Sequence, residues 1–328
     1  MIISRTPYRV SLFGGGSDFP EWFNIHSGAV LSTTIDKYCY ISCRYRPPFF
    51  SDRHRIVWSH IETTQAISEI LHPAVRAVLE HLGFDDEQGF EIHHQGDLPA
   101  RSGIGSSSTF IVGLVNALYA LRKLSLAAYD LATVAIKIER EILHENVGFQ
   151  DQIAAAYGSF NSIYLRSGSN FIVEPVNINS HRIKALEESL VLIYTGLSRM
   201  SSKISANLIK NIDSKEKIIQ AISMMPEHAL DILKSNESIN EIGKLLDLGW
   251  SLKKKLNPEC SNQKIDDLYN TALRNGAIGG KLLGAGESGF MLFFVPKKHQ
   301  PAFRYAMRYL LEIPFRFSYN GSQIIYEE

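Results

Sequence analysis

The segment from Pro99 to Thr109, with the sequence PARSGIGSSST, constrains the fold of this chain more than any other stretch. A short strand-like run (Phe90–His94) precedes it, and a mostly apolar run that predicts a buried helix (Thr109–Arg122) follows it. Its glycines allow positive φ angles and let an anion approach the backbone, and the free N–H groups of a helix start favour phosphate. The segment therefore predicts a phosphate-binding loop, with a serine-capped helix after a glycine turn as the alternative.

Three consecutive serines, Ser106 to Ser108, stand where the predicted helix begins. Hydroxyl oxygens suit a hard cation such as Mg²⁺, so the loop also predicts a metal ligand beside the phosphate. The Gly-Lys-Ser/Thr ending of a Walker A loop is absent from this segment. The sequence thus predicts a phosphate site of a different type.

The size and charge of the chain suit a globular enzyme. A length of 328 residues suggests about two domains, and 34 basic against 34 acidic residues argues against a dedicated nucleic-acid or membrane-surface binder. No run approaches the ~20 apolar residues that span a bilayer, and the start MIISRTPYRV lacks the apolar core of a signal peptide. We expect a cytoplasmic protein with no nucleic-acid or membrane partner.

The cysteines predict neither a disulfide framework nor a metal site. Only Cys39, Cys43 and Cys260 occur, and further ligands at metal-binding spacing do not accompany them. We expect all three to be reduced, structural thiols.

Strand-like runs predominate in the first half of the chain and helical patterns in the second. Besides Phe90–His94, strands are expected at Ile2–Arg5, Ala29–Tyr45, Arg55–His60, Leu190–Tyr194 and within Ser159–Val176. Helices are expected at Pro73–Leu82, Ala127–Leu143, from Ser201 to about Asn275, and at about His299–Leu311. This grouping predicts an α+β fold, with a first domain of residues 1–195 and a second of residues 196–328.

Three local signals predict where elements of the second half begin and end. Pro226 is expected to start a helix, and Gly276 to end one. Asn320-Gly321 is expected to form the turn of a closing β-hairpin.

Three ordered segments resemble the signatures of the GHMP kinases, the family of galactokinase, homoserine kinase, mevalonate kinase and phosphomevalonate kinase. They are RTPYRVSLFGGGSD (5–18), LPARSGIGSSS (98–108) and KLLGAGESGF (281–290), and they span nearly the whole chain. Within the family, the sequence is most similar to the D-glycero-D-manno-heptose 7-phosphate kinases, which read much like RTPLRISFFGGGTD and LPARSGLGSSS.

The resemblance implies a two-domain GHMP kinase fold. Its N-terminal, ribosomal-protein-like domain contains a left-handed βαβ unit, an exception to the usual crossover rule, and its C-terminal domain is ferredoxin-like. ATP with Mg²⁺ and a sugar or sugar phosphate would meet in the cleft, in a monomer or homodimer. The implied reaction phosphorylates the anomeric hydroxyl of heptose 7-phosphate; alternatives are a fucose or galactose 1-kinase and a non-catalytic sugar- or nucleotide-binding relative.

The same resemblance assigns roles in phosphoryl transfer. Asp151 matches the catalytic aspartate and Arg9 the basic residue that would keep it ionised and neutralise developing charge. Ser107 and Glu139 match the Mg²⁺ ligands, with Glu141 as a competitor for Glu139. Without the family match, Asp151 would be a first-turn helix acid and Arg9 a surface residue. The residues expected to bind ATP are Pro99, Arg101, Gly103, Ile104, Gly105, Ser106, Ser107 and Ser108.

The acceptor side is assigned less directly. Asp18 resembles the galactokinase aspartate that accepts sugar hydroxyls, with an N-cap for Phe19–Asn24 as the alternative. The residues expected to contact the acceptor are Gly15, Gly16, Ser17, Asp18, Arg199, Gly284 and Gly286. A substrate phosphate needs a cationic pocket, for which Lys203, Arg101, Arg44 and Lys281 are further candidates.

The third signature departs from the family at Glu287 and Ser288, where related kinases usually carry glycine. A positive φ angle at Glu287 would strain a residue with a side chain. A purely structural tight turn is therefore an equal interpretation of this loop.

Overall fold

Most strands join one large sheet in the computed structural model, which describes residues 1–100, 102–196 and 213–328. Its path runs β13 (Gln323–Glu327), β1 (Ile2–Phe13), β2 (Gly28–Arg46), β5 (Gly89–Gly96), β3 (His54–Val57) and β4 (Ile61–Thr64). Two further strands, β6 (Phe160–Arg166) and β12 (Phe317–Ser318), also pair with β2, and β7 (Asn170–Pro175) pairs with β6. The strands predicted in the first half are confirmed, although β1 is much longer than predicted.

The long β1–β2 ladder sets the position of Arg9. β1 pairs antiparallel with β2 from Ile2 opposite Cys43 to Phe13 opposite Leu31, and the register shifts between Pro7 and Arg9. Such an irregularity turns the local backbone and re-aims side chains. Arg9 pairs with Thr34 just beyond this irregularity. Its main-chain N–H donates to the Ile104 carbonyl of the phosphate loop at 3.3 Å.

The helices of the described chain pack on these strands and on a second sheet. They are α1 (Pro20–His26), α2 (Pro73–His81), α3 (Ser106–Leu121), α4 (Ala128–Lys137), α5 (Gln150–Tyr157), α6 (Ser180–Ser189), α7 (Glu216–Lys234), α8 (Asn240–Leu256), α9 (Gln263–Arg274) and α10 (Gln300–Met307), with a π-helical turn at Ile138–Ile142. Helix α3 is apolar on nearly all sides because it packs against β1, β2, α4 and α5. Its predicted burial is confirmed.

The second sheet is antiparallel, in the order β11 (Leu311–Ile313), β8 (Leu190–Tyr194), β10 (Phe290–Phe294) and β9 (Gly279–Leu282). Helices α7 to α9 lie between β8 and β9 in sequence, and α10 lies between β10 and β11. This strand–helix–strand–strand–helix–strand sequence is ferredoxin-like, as the resemblance implied.

The two sheets interleave along the chain near the predicted domain boundary at residue 195. β8 precedes the boundary but pairs in the second sheet, whereas β12 and β13 follow it but pair in the first. The division at residue 195 stays a prediction. β3 and β5 are parallel and α2 lies between them in sequence, but the handedness of the βαβ unit also stays a prediction.

Two local predictions were wrong. Pro226 lies inside α7 instead of at its start. The proline ring packs closely on Gly14: a Cβ added to Gly14 would lie 2.8 Å from the Pro226 Cγ. Pro226 therefore makes a tertiary contact inside the helix, although it lacks the N–H group for a helical hydrogen bond. The strands that flank Asn320-Gly321 pair with β2 and β1 and not with each other, because Ser322 bonds to the Ala155 carbonyl of α5 at 3.0 Å.

Other local predictions are confirmed. Gly276, with φ of 99°, follows α9. Cys39, Cys43 and Cys260 are free and buried, and burial raises the pKa of Cys43 to about 12. A buried thiol with a raised pKa is inert, so these residues are part of the core.

Candidate active site

The predicted phosphate loop ends at the N-terminus of α3. Gly105 is the N-cap residue of the helix with φ of 73°, and Gly103 has φ of 82°. A Cβ on Gly103 would lie 2.5 Å from the Leu283 carbonyl oxygen, so only glycine fits there. The loop, including Ser106, Ser107 and Ser108, opens into a cleft between the two sheets.

Other residues predicted to bind ATP shape the loop from outside the cleft. The Ser102 hydroxyl donates to the Pro99 carbonyl at 2.6 Å, and Ile104 is fully buried with its carbonyl bonded to Arg9. Neither Pro99 nor Ile104 lines the cleft. Arg101 lies outside the described residues.

Arg9 and Asp151, which are 142 positions apart in sequence, form a two-pronged ion pair in the cleft. The Arg9 Nε and Nη2 atoms donate to the two Asp151 carboxylate oxygens, each at 2.7 Å, and Nη1 donates to the Gly103 carbonyl at 2.8 Å. The Arg9 side chain is 3% exposed and that of Asp151 is 22% exposed. A Cβ on Gly105 would lie 3.1 Å from Asp151 Oδ2, so the carboxylate lies directly against the phosphate loop.

Glu139 lies behind the loop and is completely buried. It accepts hydrogen bonds from the Ser108 hydroxyl and from Gln152 Nε2. Its Oε1 atom is buried and has no assigned hydrogen-bond partner among the described residues. Desolvation raises the pKa of Glu139 to about 7. A buried carboxylate oxygen beside a serine hydroxyl is a donor set that Mg²⁺ accepts, so these residues fit the ion.

The serine that touches Glu139 is Ser108, although the sequence favoured Ser107 as its partner. Ser107 is exposed at the mouth of the cleft, and Ser108 is buried. Both serines line the cleft, whereas Glu139 does not. Glu141, the competitor, is also exposed.

The acceptor residues of the first signature divide into two groups. Gly15, Gly16 and Asp18 line the cleft, whereas the Ser17 hydroxyl donates to the carbonyls of Gly14 and Ala29 at 2.8 and 3.0 Å. Ser17 therefore shapes the turn and does not face a ligand.

Asp18 is 1% exposed and is not the N-cap of α1, a position that Phe19 occupies. Its carboxylate accepts hydrogen bonds from the main-chain N–H groups of Gly16, at 2.8 Å, and Gln150, at 3.3 Å. Burial, with a smaller contribution from Asp151, raises its pKa to about 6.

Two polar atoms near Gly15 lack partners within the described part of the chain. They are Ser11 Oγ and Gln150 Oε1, which are buried and belong to residues that line the cleft. A Cβ on Gly15 would lie 3.5 and 3.6 Å from them. Buried polar atoms are normally hydrogen-bonded, so this end of the cleft suits a ligand rich in hydroxyl groups.

Lys253, on α8, and Lys281, on β9, also line the cleft. Lys253 Nζ donates to the carbonyls of Leu282 and Gly284 at 2.9 and 2.5 Å, and Lys281 Nζ to the Leu12 carbonyl at 3.1 Å. Lys281 was among the candidates predicted from the sequence, whereas Lys253 was not. Nothing in the run Lys253–Lys255 distinguishes the lysine that lines the cleft from its neighbours.

The glycine-rich loop of the third signature packs on the phosphate loop. A Cβ on Gly284, which lines the cleft, would lie 2.4 Å from the Gly103 Cα. Gly286 packs against Cys260 instead and does not line the cleft. Glu287 has φ of 60°, the strained conformation considered from the sequence, and its N–H donates to the Cys260 carbonyl at 2.9 Å.

Of the remaining basic candidates, the structure describes only Arg44, which does not line the cleft. Arg44 pairs with Glu91 on the β2–β5 ladder, at 2.6 Å. Arg199 and Lys203 lie outside the described residues. Among the described helices, none combines the length and apolar character required to cross a membrane.

The cleft thus joins an anion-binding helix start, an oriented carboxylate and a polar pocket. Such a set can hold a polyphosphate, position a hydroxyl group and accept its proton. These are the requirements of phosphoryl transfer to an alcohol.

Two family models match this chain, one in each half. The model described as GHMP kinases N terminal domain matches residues 69–159, and the model described as GHMP kinases C terminal matches residues 229–309. Together they cover more than half of the chain.

Individual relatives match at greater length. A D-glycero-alpha-D-manno-heptose 7-phosphate kinase of Campylobacter jejuni is 29% identical over 304 residues, covering 90% of this chain and 89% of the relative. The crystal structure of a D-glycero-D-manno-heptose 1-phosphate kinase from Bacteroides thetaiotaomicron superimposes with a TM-score of 0.81 at 25% identity, covering 100% of both chains. A putative sugar kinase from Campylobacter jejuni gives a TM-score of 0.70 at 27% identity, covering 99% and 98%.

Proposed function

Because this chain belongs to the GHMP kinase family, we propose that it transfers the γ-phosphoryl group of ATP to the anomeric hydroxyl of D-glycero-D-manno-heptose 7-phosphate. The product is the 1,7-bisphosphate, a precursor of nucleotide-activated heptose for surface glycans. One observation carries the proposal of transfer: Asp151 is locked by Arg9 at 2.7 Å and lies directly against Gly105 of the phosphate loop. An acceptor hydroxyl that meets this carboxylate is therefore adjacent to bound phosphates.

The triphosphate of ATP binds at the start of α3, where Ser106 to Ser108 line the cleft. The free N–H groups and the positive dipole end of a helix start favour phosphate. Three residues would hold Mg²⁺: Glu139, Ser107 and Ser108. Ser108 bonds to Glu139, and Ser107 has an exposed side chain at the cleft. The ion would neutralise phosphate charge when bound.

In the transfer step, the acceptor oxygen forms a bond to the γ-phosphorus while the bond between that phosphorus and the β–γ bridging oxygen breaks. ADP carries away the bonding electron pair, and the hydroxyl proton passes to Asp151. Arg9 holds both carboxylate oxygens of Asp151 in place, so little reorganisation accompanies the step.

A sugar as the acceptor is supported by the polar end of the cleft. Asp18, Ser11 and Gln150 offer hydrogen-bonding groups beside Gly15 and Gly16, whose lack of side chains leaves room for a sugar ring. Heptose phosphate is favoured over other sugars by relatives of that name at 29% and 25% identity.

Coupled ADP release against a panel of acceptors tests the proposal. The panel contains heptose 7-phosphate, unphosphorylated heptose, fucose and galactose, with an acceptor-free reaction as control. We expect the highest kcat/KM with heptose 7-phosphate. Turnover of fucose or galactose without turnover of the heptose phosphate would refute the named substrate, and no ADP above the control with any sugar would indicate a non-catalytic relative.

A further inference from the structure

Two lysines on one side of the cleft have no role in the transfer step described above. Lys253 lies on α8 and Lys281 on β9, and both side chains line the same cleft as Asp18 and Asp151. Lys253 Nζ bonds to the carbonyl of Leu282, the residue that follows Lys281. The two ammonium groups therefore share one small region of the cleft wall.

The hydrogen bonds of these lysines leave donors for a ligand. An ammonium group has three N–H donors; Lys253 gives two of them to backbone carbonyls, and Lys281 gives one. Within the described part of the chain, neither lysine forms an ion pair with a carboxylate within 4.0 Å, in contrast to Arg9. A carbonyl oxygen accepts a hydrogen bond but does not cancel the charge.

The charges that line the cleft do not balance. Three basic residues, Arg9, Lys253 and Lys281, line the cleft with two acidic residues, Asp18 and Asp151. Arg9 is already paired with Asp151. Desolvation, reinforced by the charge of Lys253, lowers the pKa of Lys281 well below its usual value. Desolvation also lowers the pKa of Lys253 to about 8. A bound anion would offset this cost.

The position of the pair favours the acceptor over the nucleotide. The C-terminal part of α8 also places Leu256 in the cleft, where a Cβ on Gly16 would lie 3.7 Å from its Cδ2. Asp18 is the carboxylate whose charge acts on Lys281. Gly16 and Asp18 belong to the acceptor end, whereas the nucleotide phosphates have the N–H groups of α3.

We propose that Lys253 and Lys281 form a second anion subsite that binds the phosphate which the acceptor already carries. The identity of the sugar rests on the proposed function, but the subsite itself requires only a sugar phosphate. It would make the enzyme select phosphorylated sugars, because an unphosphorylated sugar leaves two partly buried ammonium groups without an anionic partner.

Binding measurements separate this subsite from turnover. Isothermal titration calorimetry would compare heptose 7-phosphate with unphosphorylated heptose, with inorganic phosphate as a competitor, on the full chain. The variants are Lys281→Met, which removes one charge and one carbonyl contact, and Lys253→Arg, which keeps the charge. Lys255→Met is the matched control, since Lys255 lies on the same helix with an exposed side chain.

We expect the wild-type chain to prefer the phosphorylated sugar, and Lys281→Met to weaken its binding by about ten- to a hundredfold while heptose binding changes little. Lys253→Arg and Lys255→Met should retain the preference, and thermal unfolding would confirm that each variant is folded. Equal binding of both sugars by the wild type, an unchanged preference in Lys281→Met, or a matching loss of ATP affinity would overturn the subsite. A retained preference without any ADP release would instead refute the proposed function and leave the subsite standing.

Discussion

The two walls of the cleft hold their charges in different ways. On the wall built by the first sheet and its helices, Arg9 and Asp151 satisfy each other through two hydrogen bonds of 2.7 Å. On the wall built by α8 and β9, Lys253 and Lys281 bond only to backbone carbonyls among the described residues. The Arg9–Asp151 pair is fixed before a ligand arrives, whereas a partly buried charge without an ionic partner is stabilised when a bound anion compensates its desolvation.

The two walls therefore differ in the function we propose for them. The paired wall provides oriented groups for the transfer step, and the unpaired wall provides affinity and selectivity for an anionic acceptor. The two walls meet where Gly284 packs on Gly103. A substitution that disturbs this contact should therefore displace both the phosphate loop and the glycine-rich loop of the third signature.

The largest effect is expected from Asp151→Asn on the paired wall. Loss of the proton acceptor should lower kcat by about a thousandfold, while ATP affinity changes little because the phosphate loop is intact. Steady-state ADP release and a nucleotide titration measure the two effects.

Asp130→Asn is the matched control, because Asp130 is also a first-turn helix acid but is exposed. It should leave both quantities unchanged. Transfer that survives in Asp151→Asn would show that the base assignment is wrong.

The contact between the walls can be tested with two glycines of almost the same conformation. Gly284 and Gly83 have φ of 68° and 65°, but a Cβ on Gly284 would lie 2.4 Å from Gly103 Cα, and one on Gly83 would meet nothing within 4 Å. Gly83→Ala should lower the free energy of unfolding by about 1 kcal/mol through backbone strain alone. Gly284→Ala should lower it by about 3 kcal/mol, since overpacking adds to the strain.

Urea denaturation measures both changes in stability. Gly284→Ala should also weaken ATP binding, because the displaced Gly103 belongs to the phosphate loop. Equal destabilisation by the two substitutions would mean that the walls are not coupled through this contact.

Asp18 provides a pH-dependent test of the acceptor end. Its pKa is about 6 in the folded protein against an ordinary value of 3.8, so between those pH values the folded state binds more protons than the unfolded state. The contribution of Asp18 to stability should therefore fall as the pH rises from about 4 to 6, by about 3 kcal/mol in total.

Asp18→Asn removes this titration and should flatten the stability profile in that range. Denaturation of both proteins at pH 4.5 and pH 7 provides the comparison. Parallel profiles would show that Asp18 ionises normally in the folded protein.

The smallest effect is expected at Glu287, whose φ of 60° strains a residue with a side chain. Glu287→Gly should raise the free energy of unfolding by less than about 1 kcal/mol, because relief of strain exceeds the extra chain entropy of glycine only slightly. Calorimetric unfolding would detect the change. A loss of stability above 1 kcal/mol would indicate that the contacts of the Glu287 side chain matter more than its backbone strain.

The sequence predicted the parts of this molecule that depend on local pattern. The limits of β8 follow from a short apolar run that ends at Thr195-Gly196. The burial of α3 follows from its apolar content, and the positive φ angles of Gly103 and Gly105 from glycine chemistry. The Arg9–Asp151 contact spans 142 positions, and only the family resemblance suggested it.

Features that depend on tertiary contacts were missed. Pro226 stands inside a helix, where its ring packs on Gly14. The two strands that flank Asn320-Gly321 pair with β2 and β1 and not with each other, and Ser322 between them bonds to Ala155 of α5. Lys253 was not identified because only the packing of α8 against β9 decides which lysine of the run faces the cleft.

Phosphorus NMR of a single reaction follows the transferred group itself. The chain would be mixed with ATP, Mg²⁺ and heptose 7-phosphate, and the spectrum recorded as the reaction proceeds. We expect ATP signals to give way to ADP signals while an equal amount of a new anomeric phosphomonoester appears and the phosphate at position 7 is retained. Unchanged ATP, or ADP accompanied only by inorganic phosphate, would contradict the proposed transfer.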